Sequence, residues 1–217
     1  MMDTLLFDLD GTLLNTNPLI LASFRHTLGY YFPDETYRDE DLYPFIGPTL
    51  EKSFRELNEP EWKEMQAFYR SFNIAMHDAL VAEYPGVIEG LYRLHAKGYK
   101  MGVVTSKGRP VVEQGLRLFN IDHLFDVVIT ADDVENEKPH PEPVERALRA
   151  LESAPERAVM VGDNDTDIFS GKNAGTKTVA VGWALKGRAF LESLEPDVII
   201  ESMEHFEAWL DEVTVHA

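Results

Sequence analysis

From Pro85 onward the chain alternates short apolar runs with helical stretches, and that rhythm restricts the fold more than any other feature. Lys100–Thr105, Val127–Thr130, Ala158–Val161, Thr178–Val181 and Asp197–Ile200 are short and largely apolar, the pattern of strands buried in a sheet rather than of helices. Val87–Lys97, Arg109–Phe119, Glu142–Leu151, Thr166–Ala174 and Met203–Leu210 carry helical patterning between and after them. Buried strands separated by helices predict an α/β fold with a doubly wound parallel sheet. Leu5-Leu6-Phe7, near the amino end, adds one more short buried strand.

The segment between that first strand and Pro85 breaks the rhythm. Asn15-Thr16-Asn17-Pro18 is a polar hinge with helix-start chemistry, and Leu19–Leu28 has helical spacing that Gly29 can end. Pro33, Pro44 and Gly47 make Tyr30–Pro48 loop-like, and a short helix follows around Thr49–Leu57. Trp62, Met65, Phe68, Tyr69, Phe72 and Met76 form a helical stripe reaching towards Val81, a packing surface rather than a cofactor box. The expected organisation is a core domain from residues 1–14 and 86–217, interrupted by a small helical domain over residues 15–85.

Bulk properties remove several functions. A formal charge of −18 argues against nucleic acid or an anionic membrane as partner. The same charge repels a small anionic substrate, so a phosphate site would need local cations and a metal to reverse the field. With no cysteine, disulfides, zinc-thiolate sites and cysteine nucleophiles are excluded. No apolar run approaches the roughly twenty residues of a membrane span, and Asp3 stands where a signal peptide's basic region belongs. The expected location is cytoplasmic.

Four strand ends carry chemistry. After Leu5-Leu6-Phe7 come Asp8 and Asp10, two positions apart, then Gly11. Strand side chains repeat every two residues, so the two carboxylates begin on one face. Gly11 permits a turn. They lie where open α/β sheets bind ligands. Asp-Gly is also ordinary turn chemistry. Thr105-Ser106 puts a hydroxyl and a free amide at a second strand tip, suited to a phosphoryl oxygen or to plain loop structure. Lys138 sits in the proline-stiffened Glu137-Lys138-Pro139-His140-Pro141, either a fixed counter-charge for phosphate or a solvated surface lysine; His140 reads as structural. Gly162-Asp163-Asn164-Asp165-Thr166-Asp167 gathers carboxylates that repel unless a cation or donors sit among them; Asp165 also suits a helix start. Oxygen ligands without Cys or His favour a hard cation, Mg²⁺ foremost.

In this order, Asp8-Leu9-Asp10-Gly11-Thr12, Thr105, Lys138 and Gly162-Asp163 with Asp167 resemble the motifs of the haloacid-dehalogenase (HAD) superfamily of phosphotransferases, across the whole chain. The resemblance implies a Rossmann-like core, and makes the helical insertion that family's cap of the first type. Asn15-Thr16-Asn17, Pro44-Phe45-Ile46-Gly47-Pro48, Tyr69-Arg70-Ser71-Phe72-Asn73, His77-Asp78 and Gly171-Lys172-Asn173-Ala174-Gly175-Thr176-Lys177-Thr178 are similar to the PpaX-type inorganic pyrophosphatases within it. Phosphoglycolate phosphatases are similar over much of the same pattern.

By that resemblance Asp8 would accept the phosphoryl group as nucleophile and Asp10 would act as general acid and base. Mg²⁺ would be held by the Asp8 carboxylate, the Asp10 backbone carbonyl and Asp163, with Asp167 orienting that shell and Thr105, Ser106 and Lys138 binding substrate. Pyrophosphate would be the substrate. The family role would link it indirectly to the phosphorolytic dephosphorylation of seryl-phosphorylated HPr. Arg25, His26, Arg55, Arg70 and Lys107 are candidates to recognise so small an anion, Arg70 first among them because it lies in an otherwise apolar stripe. A phosphatase for phosphoglycolate or another small organic phosphate, a phosphate-binding regulator without catalysis, and a phosphomutase are the competing readings.

Overall fold

The computed structural model describes residues 1–215. The chain forms two compact units, Met1–Asn15 with Glu83–Ala217, and Thr16–Ala82. The sequence places the joins at 14/15 and 85/86, and residues 216 and 217 of that expected core domain lie outside the described residues.

Six strands, β1 (Thr4–Phe7), β2 (Lys100–Val104), β3 (Val127–Ile129), β4 (Ala158–Gly162), β5 (Lys177–Val181) and β6 (Val198–Ile200), form a sheet of order β3-β2-β1-β4-β5-β6. Every pairing between neighbours is parallel. The helices are α1 (Asn17–Tyr31), α2 (Asp39–Leu42), α3 (Leu50–Asn58), α4 (Trp62–Leu80), α5 (Val87–Ala96), α6 (Arg109–Leu118), α7 (Glu142–Ala150), α8 (Asp165–Ala174), α9 (Arg188–Ser193) and α10 (Met203–Val215). This is the doubly wound arrangement that alternating strands and helices require.

β1 is buried at all four positions, because it is the centre of the sheet. Leu6 joins a cluster with Val104, Ile129, Val144, Leu148 and Met160. Phe7, turned to the opposite face, meets Phe125 and Phe206 edge-on at 6.4 and 6.2 Å. Each such fully buried side chain contributes roughly 1.5–3 kcal/mol. Phe7 is level with Val103 on β2 and with Val161 on β4. The residues after these strands, Asp8, Thr105 and Asp163, therefore emerge together at the carboxyl edge. The chain winds outward from β1 in both directions, so this edge is also the switch point where such sheets bind ligands.

Two local expectations are corrected, and one helix is added. Helix α1 runs through Gly29 to Tyr31. A Cβ there would meet nothing within 4 Å, and a cost of about 1 kcal/mol for a helical glycine is outweighed by packing on either side. Tyr30–Pro48 is not continuous loop: α2 and a 3₁₀ turn at Tyr43–Phe45 occupy part of it, with Pro44 early in the turn, where no N–H is needed. Helix α9, absent from the expected elements, follows Gly187, whose φ is +78°, and at six residues it is too short for its spacing to announce a helix.

Within the smaller unit, Phe24 of α1 touches Phe54 and Tyr69 at 5.6 and 4.9 Å. The buried line of α4 is Met65, Tyr69, Asn73 and His77, while Phe68, Phe72 and Met76 are half-buried. Asn73 donates to the Ser23 hydroxyl at 3.0 Å, which satisfies a polar contact inside this apolar unit.

Candidate active site

Gly11 shapes the first turn. Its φ is +77°, and a Cβ there would come within 2.4 Å of Asp163 Oδ2. Only glycine lets the turn approach Asp163 this closely. Gly162 does the same from the other strand, since its Cβ would meet that of Asp167 at 2.2 Å.

Asp8, Asp163 and Asp167 are buried and offer carboxylate oxygens that all lie within 4.8 Å of one another. Lys138 reaches into this cluster, donating to Asp8 Oδ1 at 2.8 Å, to Asp167 Oδ1 at 2.5 Å and to the Val104 carbonyl at 2.9 Å. It is a buried counter-charge, not a surface lysine. Asp167 also closes a capping box, accepting from the Asn164 amide at 3.0 Å at the start of α8. Asn164 caps that helix, and Asp165 is half-buried beside it.

Crowding shows in the protonation equilibria. Burial, the largest influence, together with Asp167 and Asp10 lifts the Asp8 carboxyl to about 7 against the pull of Lys138. Asp163 is raised well above the carboxylate range, first by burial and then by Asp167 and Asp8. Burial alone would depress Lys138, but Asp167 and Asp8 overcome it and hold the ammonium above its ordinary value. Once their carboxylates are ionised, Asp8, Asp163 and Asp167 outnumber the single Lys138 ammonium and leave a doubly negative, nearly dry cluster of oxygen ligands. A divalent hard cation fits that charge and that donor set.

Asp10 stands apart. β1 ends at Phe7, so the alternation expected to put Asp8 and Asp10 on one strand face stops short of both. Gly11 N–H bonds to the Leu14 carbonyl at 2.9 Å, folding Asp10 into the turn. Its carboxylate is not in the cluster but accepts from Lys107 Nζ at 2.6 Å. Thr105 is buried, with its hydroxyl accepting from the Lys107 amide at 3.2 Å. Ser106 is half-buried on the same bend. His140 is used locally, its Nδ1 accepting from the Glu142 amide at 3.1 Å.

Sequence reasoning passed over the loop after β5. Trp183 Nε1 donates to the Thr12 carbonyl at 3.2 Å, and Lys186 Nζ donates to Asn164 Oδ1 at 2.8 Å. The strand-tip rule that singled out the other four loops applies equally to this one. In the smaller unit, Arg25 is ion-paired with Asp39, and Arg55 binds Glu51 and Glu59 and lies over the Trp62 ring. His26 is stacked on Phe68 and Phe72 at 4.9 and 4.3 Å, and Arg70 is exposed.

A parallel sheet with these carboxylates and this lysine at its central edge is the architecture of haloacid dehalogenase-like hydrolases, whose family model matches residues 5–181. The chain belongs to that family and is one of its phosphatases. Pyrophosphatase PpaX of Bacillus cereus (strain Q1) is 54% identical over 201 residues, 93% of each chain. Among solved structures, a haloacid dehalogenase-like hydrolase from Streptococcus pneumoniae superposes with TM-score 0.85 at 26% identity, over 96% of this chain and 98% of its own. A structure from Haemophilus somnus, described as a predicted phosphoglycolate phosphatase, gives 0.83 at 25% identity, over 96% and 98%.

Proposed function

We propose that the protein hydrolyses inorganic pyrophosphate to two phosphates in a Mg²⁺-dependent reaction through an aspartyl-phosphate. The substrate assignment is carried by the 54% identity to Pyrophosphatase PpaX over 93% of both chains. The chemistry is supported by the division of labour among the carboxylates.

Asp8 is the nucleophile. One of its oxygens forms a bond to the nearer phosphorus as the bridging P–O bond breaks. Asp10, outside the cluster, gives a proton to the departing phosphate and later takes one from the water that cleaves the Asp8–phosphorus bond, a service typically worth about 10²–10⁴-fold. Lys138 holds Asp8 in place and opposes negative charge on the transferring oxygens, and Thr105 and Ser106 offer donors to them. Asp8 and Asp163 with the Asp10 carbonyl would hold the Mg²⁺, and Asp167 would orient that set while anchoring Lys138. When bound, the ion supplies charge neutralisation and Lewis acidity at the phosphoryl oxygens. The helical unit over 16–82 acts as a type 1 cap, and the protein works in the cytoplasm; no helix among the described residues is long and apolar enough to cross a membrane.

The likeness to the Haemophilus somnus structure supports a second reading, hydrolysis of phosphoglycolate. Side-by-side turnover with Mg²⁺ separates them: pyrophosphate is expected to be cleaved with the higher kcat/KM, and a clear preference for phosphoglycolate would reverse the assignment. Asp8→Asn is expected to abolish orthophosphate release while leaving the circular dichroism spectrum intact.

A further inference from the structure

The arrangement around Asp10 carries one step more. Lys107 leaves the sheet two residues after Thr105, and its backbone is pinned on both sides. Its N–H donates to the Thr105 hydroxyl at 3.2 Å, and its carbonyl accepts from Ala131 N at 3.2 Å. The neighbouring Arg109 extends that anchorage, its amide donating to Asp132 at 2.8 Å and its guanidinium reaching Asp133 and the Val128 carbonyl. A lysine so anchored delivers its ammonium to a defined place, 2.6 Å from Asp10 Oδ1, with only 14% of its side chain exposed. Lys138 cannot serve there, because its ammonium is committed to Asp8, Asp167 and the Val104 carbonyl.

Asp10, on the proposed mechanism, must lie beside the oxygen that departs. A cation in contact with Asp10 is therefore beside the leaving group and not beside the phosphoryl group being transferred. We infer that Lys107 is a specificity-determining residue of the core that recognises negative charge on the leaving group. This inference rests on the proposed roles of Asp8 and Asp10 but not on pyrophosphate being the physiological substrate. It answers a problem posed by the chain's charge of −18. A substrate with no organic portion offers only charge to recognise, and Arg25 and Arg55 are already paired with carboxylates of their own unit.

The test compares wild type, Lys107→Met and Lys107→Arg on three substrates with Mg²⁺. Pyrophosphate and phosphoglycolate have leaving groups with charge beyond the reacting oxygen, and 4-nitrophenyl phosphate has none. A hydrogen bond between charged groups is worth enough that the kcat/KM ratio of pyrophosphate to 4-nitrophenyl phosphate should fall about 10- to 100-fold in Lys107→Met. Lys107→Arg should recover part of that loss. A ratio unchanged in Lys107→Met, or equal losses on all three substrates, overturns the inference. If the wild type leaves pyrophosphate uncut, the substrate assignment fails separately, and the phosphoglycolate to 4-nitrophenyl phosphate ratio still decides the role of Lys107.

Discussion

The Lys138 ammonium is shared by two carboxylates and a main-chain carbonyl, with its side chain only 3% exposed. Removing one partner from a buried charged set costs about 3–5 kcal/mol, because what remains is uncompensated and dry. Lys138→Met is therefore expected to lower the unfolding free energy measured by denaturant titration at pH 8 by an amount of that order, and to lose less at pH 5, where Asp8 and Asp163 can take up protons. Equal destabilisation at both pH values would mean that Lys138 matters for packing and not for charge. Asp8, Lys138 and Asp163 were legible in the sequence because each stands at or near a strand or loop end, and their order along the chain favoured a shared site over the competing readings of an Asp-Gly turn and a surface lysine. Their partners were less so. The Asp10–Lys107 pair joins residues 97 positions apart, and no spacing rule reports which lysine a carboxylate will meet. Asn73 and His77 stand out in the sequence only through the family resemblance, and their burial on α4 was not legible, because composition alone favours the neighbouring Phe72 and Met76 for the packed face.

At the level of elements, the sheet was the most readable part, since short apolar runs between helices leave one economical topology. The loop from Gly182 to Gly187 was not, although it touches both halves of the site. Trp183 ties down the Thr12 carbonyl in the turn that carries Asp10, while its ring lies 5.8 Å from Tyr84. Lys186 holds Asn164, next to Asp163. Trp183→Phe keeps an aromatic ring against Tyr84 and removes only the indole N–H. A neutral hydrogen bond of about 0.5–1.5 kcal/mol then predicts a fall in kcat of about 2- to 10-fold, with KM nearly unchanged, if the bond positions the turn. Unaltered kcat with a lowered melting temperature would make Trp183 a structural contact alone.

Over the whole molecule, the −18 charge that repels an anionic substrate favours uptake of a divalent cation, and protons compete for the same carboxylates. Asp8 titrates near 7 in the folded chain, mainly because it is buried, and Asp163 also lies well above its ordinary range. Between about pH 4 and pH 7 the folded state thus holds protons that the unfolded chain has released. Stability of the metal-free protein is expected to fall as pH rises through that window, by the contribution of these groups. A cation needs the carboxylates ionised, so its affinity changes in the opposite sense. Magnesium should accordingly raise the melting temperature little at pH 5 and substantially at pH 8. At a concentration about 100 times its dissociation constant the gain is about 2.7 kcal/mol, roughly 5–10 °C for a chain of this size. Differential scanning fluorimetry with and without MgCl₂ across that range measures it, with Asp163→Asn as the control that should lose most of the rise. A magnesium shift of equal size at both pH values, or one retained in Asp163→Asn, would show that the ion binds elsewhere than among Asp8, Asp163 and Asp167.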